Sequence, residues 1–125
     1  MYNFVRGEGI FLYDKHGKPY VDLISGIAVN NLGHNHPKVT KAIKKQVDQF
    51  SHQMVYGEYV ISPQVKLAKR LVKLLPDNLN SVYFLNSGSE AVEGAMKLAK
   101  KYTGRTEIVA MRNAYHGSTS GALSM

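Results

Sequence analysis

Two short runs of the sequence carry groups that can bind an anion. Asn86-Ser-Gly-Ser89 precedes a helical pattern, and the start of a helix leaves backbone N–H groups unpaired and pointing outward. Gly88 can adopt backbone angles closed to other residues, and the hydroxyls of Ser87 and Ser89 add donors. Further along, Tyr115-His-Gly117 places an aromatic ring beside polar groups. These residue types suit a planar, phosphorylated ligand, but an ordinary capped turn without a ligand is an equally good interpretation of the first run.

The elements around these runs predict a parallel sheet with helical crossovers. Residues 82–85 and 107–111 are apolar runs of strand length and composition. Between them, Ser87 and Glu90 fit the capping box of a helix, and Gly104 fits its end. If the two strands are neighbours, both polar runs lie at the same edge of the sheet, where α/β folds bind their ligands.

The first half of the chain is predicted to form a β-hairpin and a helix. The hairpin spans 9–25, with strands at 10–13 and 19–24 and with Gly17 at the turn position that favours a positive φ. A helix begins at Pro37, and another spans 62–76 between a Ser-Pro start and a Pro stop. The apolar faces predicted for these two helices are Val39, Ile43, Val47 and Phe50, and Val65, Ala68, Leu71, Val72 and Leu75. Residues 51–61 lack a clear period, so they form either a packed connection, which we favour, or a loop that lines a pocket.

Composition narrows the possible functions. The chain has 125 residues, no cysteine and a net charge of +7. Most of its basic residues are lysines on the polar faces of predicted helices, so we expect no nucleic-acid binding. No apolar run is long enough to span a membrane, and we expect a cytoplasmic protein. His34 and His36 alone do not make a metal site, and Gly117–Gly121 departs from the serine-hydrolase motif at Thr119.

At this point the motifs match a family. The chain resembles the N-terminal part of class-III aminotransferases, the ornithine, acetylornithine and 4-aminobutyrate type, which use pyridoxal phosphate. The resemblance covers nearly the whole chain, in order and at the family's spacing. The segments that carry it are Gly9–Asp14, Gly17–Asp22, Ser25–Pro37, Phe84–Glu93 and Asn113–Gly117.

The resemblance implies an α/β fold, the N-terminal portion of the type-I aminotransferase fold. Residues 1–60 would be the beginning of the small domain with its connection, and 61–125 the incomplete beginning of the cofactor-binding large domain. The resemblance also implies that Ser87, Gly88 and Ser89 bind the cofactor phosphate. In the same way, Tyr115 would stack on the pyridine ring, with His116 and Gly117 setting the backbone beside it. The substrate would lie near Val29 and Tyr56.

The implied reaction transfers an amino group from an amino acid or ω-amino acid to a 2-oxo acid, in a protein that is a homodimer. None of the lysines stands in the motif of the Schiff-base lysine, so we expect no catalytic residue in this chain and no activity of the chain alone. Ser118 stands where ornithine and acetylornithine enzymes have an arginine, which leaves the substrate open. The alternatives are a pyridoxal-phosphate-dependent aminomutase of the same family and a catalytically silent fragment or interaction module.

Overall fold

The computed structural model describes residues 2–125. The chain divides into two compact units, one ending at Ile61 and the other spanning Ser62–Met125. That these units are the beginnings of a small and a large domain stays a prediction. Within the described residues, no helix combines the length and the apolar character needed to cross a membrane.

The first unit begins with a three-stranded antiparallel sheet. Its strands, in spatial order, are β1 (Phe4–Glu8), β2 (Phe11–Asp14) and β3 (Pro19–Val21). β2 and β3 form the predicted hairpin, and Gly17 closes its turn with a φ of 81°. β3 ends three residues earlier than predicted, because the Asp22 side chain there takes the amides of the following residues. β1 was not predicted, because its Arg, Gly and Glu residues break the alternation of apolar and polar positions that is typical of a strand.

A left-handed turn, α1 (Ser25–Ala28), follows the sheet. All four of its residues have positive φ, from 51° at Ser25 to 64° at Gly26. The three non-glycine residues each cost about 1–2 kcal/mol in this conformation, and a β-branched Ile27 is especially rare there. The surrounding contacts must therefore impose this turn, since only Gly26 favours it intrinsically.

The helix α2 (Pro37–Gln49) confirms the helix predicted to begin at Pro37. Phe50 lies just beyond its end, in extended conformation. The predicted apolar face is largely exposed, with Val39, Ile43 and Val47 at 43%, 58% and 60% of full exposure.

The second unit contains three helices: α3 (Ser62–Val72), α4 (Gly88–Thr103) and α5 (Ser120–Leu123). α3 ends four residues before Pro76. Its predicted buried face is in fact partly exposed, with Val65 at 39%, Leu71 at 37% and Leu75 at 43%. The reason is that no other element of this unit covers that face. Ala122 of α5, at 1% exposure, is the one fully buried apolar side chain among the described residues.

The local strand predictions for 82–85 and 107–111 need correction, because neither segment is a paired strand in the described part of the chain. A strand exists only through hydrogen bonds to a neighbour, and strands that follow each other in sequence are often not adjacent in the sheet. The two segments do not pair with each other, and residues 2–125 offer them no other partner.

Candidate functional site

The N-terminus of α4 has the predicted cap. Ser87 is extended, with φ −145° and ψ 163°, and its Oγ accepts from the Glu90 amide at 3.2 Å. The Glu90 carboxylate accepts in turn from the Asn86 amide at 2.8 Å, one residue earlier than in a standard capping box. These bonds leave the amides of Gly88 and Ser89 without a partner among residues 2–125. Two adjacent N–H groups at a helix start can both donate to one anion.

Gly88 differs from the expectation in one respect. It is the first residue of the helix and does not have a positive φ, so no special backbone angle requires a glycine there. A Cβ at this position would meet nothing within 4 Å. The missing side chain instead leaves open space beside the two free amides, which suits the close approach of a ligand.

The segment 115–118 contacts the first turn of α4 directly. The Ser118 amide donates to Ser89 Oγ at 3.1 Å. Gly117 is buried and has a φ of 135°, and a Cβ there would lie 2.8 Å from Ser89 Cβ and 2.9 Å from Ser89 Cα. Only glycine fits this position. The structure thus brings the two polar runs together, although the strands expected to align them are not paired.

The side chains of Tyr115 and His116 border this contact. The Tyr115 hydroxyl lies 2.9 Å from Ser118 Oγ, while the tyrosine is 81% exposed and its ring is available to a ligand. His116 is partly buried, and its Nε2 is buried without a hydrogen-bond partner among the described residues. A bound molecule or water can supply the missing partner.

Glu93 was not among the residues predicted for the site, yet it joins α4 to α5. Its Oε1 accepts from the amides of Gly121 at 2.8 Å and Ala122 at 3.3 Å. The Thr119 hydroxyl and the Gly121 amide beside this carboxylate hold the pKa of Glu93 below its ordinary value. Within residues 2–125 the Thr119 hydroxyl lies near the carboxylate but outside the geometry of a hydrogen bond, so the two amide bonds define the position of the carboxylate. The sequence spacing could have indicated this residue, because Glu93 follows Ser89 by four residues and therefore lies on the same face of the helix.

A second polar cluster lies in the first unit, around Asp22. Asp22 Oδ2 lies 2.8 Å from His34 Nε2, and Asp22 Oδ1 accepts from the amides of Ile24 at 3.1 Å and Ser25 at 2.8 Å. The Ser25 amide and the His34 side chain keep the pKa of Asp22 below its ordinary value. His34 is also paired through its backbone with Gly9. Asp22 therefore holds the entry of α1 against the sheet, and it engages His34, one of the two histidines considered for a metal.

The two residues predicted for the substrate side, Val29 and Tyr56, lie in the first unit. Val29 follows α1 and is 75% exposed, and Tyr56 lies in an irregular segment and is 88% exposed. No side-chain hydrogen bond of Tyr56 occurs within residues 2–125. Their role in substrate binding stays a prediction.

The donor set at α4 fits a phosphate group. The two free amides, the open space beside Gly88 and the Ser89 hydroxyl all lie in the first turn of α4, at the positive end of the helix. Within the described residues, the side chains of Tyr115, His116 and Ser118 border this region. Such a site binds an anion through dipoles, and an exposed aromatic ring can cover a planar group attached to that anion.

Solved structures of aminotransferases share this fold. One is adenosylmethionine-8-amino-7-oxononanoate aminotransferase from Methanocaldococcus jannaschii, with a TM-score of 0.91 and 38% identity over 99% of this chain and 30% of that chain. Another is taurine:2-oxoglutarate aminotransferase from Bifidobacterium kashiwanohense, solved with PLP and glutamate, with a TM-score of 0.90 and 36% identity over 98% of this chain and 27% of that one. The predicted class is therefore confirmed: the chain has an α/β fold, the N-terminal portion of the fold of these PLP-dependent aminotransferases.

The sequence defines the family more closely. The profile of the family Aminotransferase class-III matches residues 1–125, and the chain belongs to that family. It is 48% identical to the acetylornithine aminotransferase of Methanopyrus kandleri over 122 residues, which are 96% of this chain and 30% of that relative. The chain thus spans about 30% of the length of the curated relatives it matches.

Proposed function

We propose that this chain holds the phosphate end of a pyridoxal phosphate site, in a protein that transfers an amino group from an amino acid or ω-amino acid to a 2-oxo acid. One observation carries the proposal: Ser89 contacts Gly117 and Ser118 directly beside two free amides at the start of α4. Membership of the class-III aminotransferase family supports the same assignment. The complex of the taurine aminotransferase with PLP and glutamate supports the choice of cofactor.

The residues at α4 would hold the cofactor by its phosphate. The amides of Gly88 and Ser89 donate to phosphate oxygens, and Ser87 fixes the turn that presents them. A serine hydroxyl has one donor and two acceptor positions. Because Ser89 Oγ already accepts from the Ser118 amide, its own proton is free to point at the phosphate.

The ring of the cofactor would be bound through Tyr115. The exposed tyrosine ring stacks on the pyridine, while its hydroxyl stays near Ser118. His116 and Gly117 set the backbone that carries the tyrosine. When bound, pyridoxal phosphate supplies an electron sink for the carbanion formed at the amino-bearing carbon of the substrate.

The proposed amino donor is a class of compounds, an amino acid or ω-amino acid, and no single compound is assigned. The similarity of this chain to the acetylornithine aminotransferase of Methanopyrus kandleri supports an ω-amino donor as one candidate. An assignment to acetylornithine alone is not supported, because Ser118 stands where the resemblance places a carboxylate-binding arginine. The Ser118 hydroxyl lies near the Tyr115 hydroxyl instead. Val29 and Tyr56 are proposed to lie towards the substrate. An aminomutase of the same family and a silent interaction module stay as alternatives.

We infer further that the whole protein is a cytoplasmic homodimer. The exposed apolar residues of α2 support coverage by other polypeptide. Cell fractionation and the mass of the full-length protein in solution test the two statements separately.

An absorbance titration with pyridoxal phosphate tests the proposed site. The purified chain should bind the cofactor saturably, Ser89→Ala should weaken the binding about tenfold, and Ser81→Ala should leave it unchanged. Ser81 is the matched control, since among residues 2–125 its exposed hydroxyl bonds only to the Asn80 side chain. Equal affinities for both variants, or no saturable binding by the unmutated chain, would contradict the proposal.

Borohydride reduction and peptide mapping test the lysines. We expect weak, scattered labelling and no amino-donor turnover by the chain without added polypeptide. A single specifically labelled lysine would show instead that the chain carries its own reactive lysine.

A further inference from the structure

Helix α5 is capped by a residue from another helix. Its N-cap residue, Thr119, makes no side-chain capping bond. The amides of Gly121 and Ala122, which such a cap would normally satisfy, donate instead to Glu93 Oε1 of α4 at 2.8 Å and 3.3 Å. The Glu93 carboxylate therefore takes the place of the missing cap.

The fit between Glu93 and α5 is close. A Cβ at Gly121 would lie 2.6 Å from Glu93 Oε1 and 2.7 Å from Glu93 Cδ. The absence of a side chain at residue 121 therefore lets the carboxylate reach the backbone. Ala122, beside it, is almost completely buried.

Glu93 and Ser89 hold the same segment at two points. Ser89 accepts from the Ser118 amide in the first turn of α4, and Glu93 accepts from residues 121–122 one turn later. Residues 115–118 end at the bond between Ser118 and Ser89, and movement of α5 would disturb that bond. With α5 held, Ser118 stays on Ser89, and Tyr115 keeps its place beside the helix start.

We propose that Glu93 is a positioning residue for the cofactor site: by capping α5 it keeps Ser118 bonded to Ser89 and Tyr115 beside the free amides. The proposal rests on the proposed function, because it gives a role to a site that binds pyridoxal phosphate. Glu93 itself would not touch the cofactor.

Three variants of the full 125-residue chain test the proposal. Glu93→Ala removes the cap, Glu93→Gln keeps an acceptor oxygen without the charge, and Ala99→Gly destabilises α4 by helix propensity alone at an exposed position. The measurements are the dissociation constant for pyridoxal phosphate and the hydrogen-exchange rate of the Ser118 amide. We expect both to rise about tenfold in Glu93→Ala, to rise less in Glu93→Gln, and to change little in Ala99→Gly.

A pH titration of the Gly121 amide signal adds a readout that general destabilisation would not produce. In the unmutated chain the signal should shift with a midpoint below the ordinary range of a glutamate, and Glu93→Gln should lack this step. Cofactor affinity and Ser118 exchange that match those of Ala99→Gly would overturn the role of Glu93 while the proposed function stands. Failure of the unmutated chain to bind pyridoxal phosphate would contradict the proposed function itself, and with it the role assigned to Glu93.

Discussion

Gly33 and Gly17 offer a matched pair of substitutions in which only the surroundings differ. Their φ angles are 82° and 81°, so alanine meets the same backbone cost at both, about 1–2 kcal/mol. At Gly17 a Cβ would have nothing within 4 Å. At Gly33 it would lie 2.8 Å from the carbonyl oxygen of Gly9 and 3.0 Å from its carbon.

The additional cost at Gly33 follows from what Gly9 is bonded to. Gly9 and His34 exchange two backbone hydrogen bonds, of 3.0 Å and 2.7 Å, so the carbonyl cannot turn away without breaking the bridge. Overpacking costs about 1–3 kcal/mol, and loss of the two bonds instead would cost about 1 kcal/mol each. Either way, Gly33→Ala should destabilise the chain by about 2 kcal/mol more than Gly17→Ala.

Urea unfolding of the two variants measures this difference. With a slope of about 1–3 kcal/mol per molar urea, the midpoint of Gly33→Ala should lie about 1 M below that of Gly17→Ala. Hydrogen exchange at the Gly9 amide should accelerate in Gly33→Ala alone. Equal midpoints would refute the reasoning, because they would mean that the contact with Gly9 carries no energy.

Two further predictions concern the two polar clusters. Gly117→Ala should destabilise the second unit by about 2–4 kcal/mol, because residue 117 has a positive φ and an added Cβ would clash with Ser89. In urea unfolding, the double variant with Ser89→Gly should recover part of the lost stability. Asp22 has a lowered pKa in the folded chain, so its contribution to stability is present above the ordinary aspartate pKa and is lost as the pH falls through the lowered value. Asp22→Asn should therefore be less stable than the unmutated chain near neutral pH and should lose less stability on acidification. An equal loss of the free energy of unfolding in both proteins between neutral and acid pH would contradict this.

Local signals in the sequence predicted the elements that local interactions stabilise. Ser87 and Gly104 mark the ends of α4 by their own hydrogen bonds and backbone angles, and the structure has both in these roles. Glu90 also caps the helix start, although its carboxylate accepts from Asn86 and not from Ser87. Gly17 likewise defines the turn of the hairpin. These features depend on residues four or fewer positions apart, so a single sequence contains the information.

Features that depend on distant residues were not predicted. Nothing near Ile27 indicates a left-handed turn, because its φ of 60° is one that β-branched residues rarely adopt. The strands expected at 82–85 and 107–111 need neighbours that the local pattern cannot specify. The contact between Ser89 and Ser118 joins residues 29 positions apart. The sequence predicted only that the runs 87–89 and 115–117 lie at the same edge of a sheet, on the condition that two strands were adjacent.

The packing of Gly7 beneath His34 has a consequence for how this protein can evolve. A Cβ at residue 7 would lie 2.7 Å from Cγ of the imidazole and 2.9 Å from its Cβ. A larger residue at position 7 is therefore compatible with the fold only after His34 has been replaced by a smaller one, and that replacement also removes the partner of Asp22. Substitutions at 7, 22 and 34 should consequently show strong epistasis, and natural sequences should vary at these three positions together rather than one at a time.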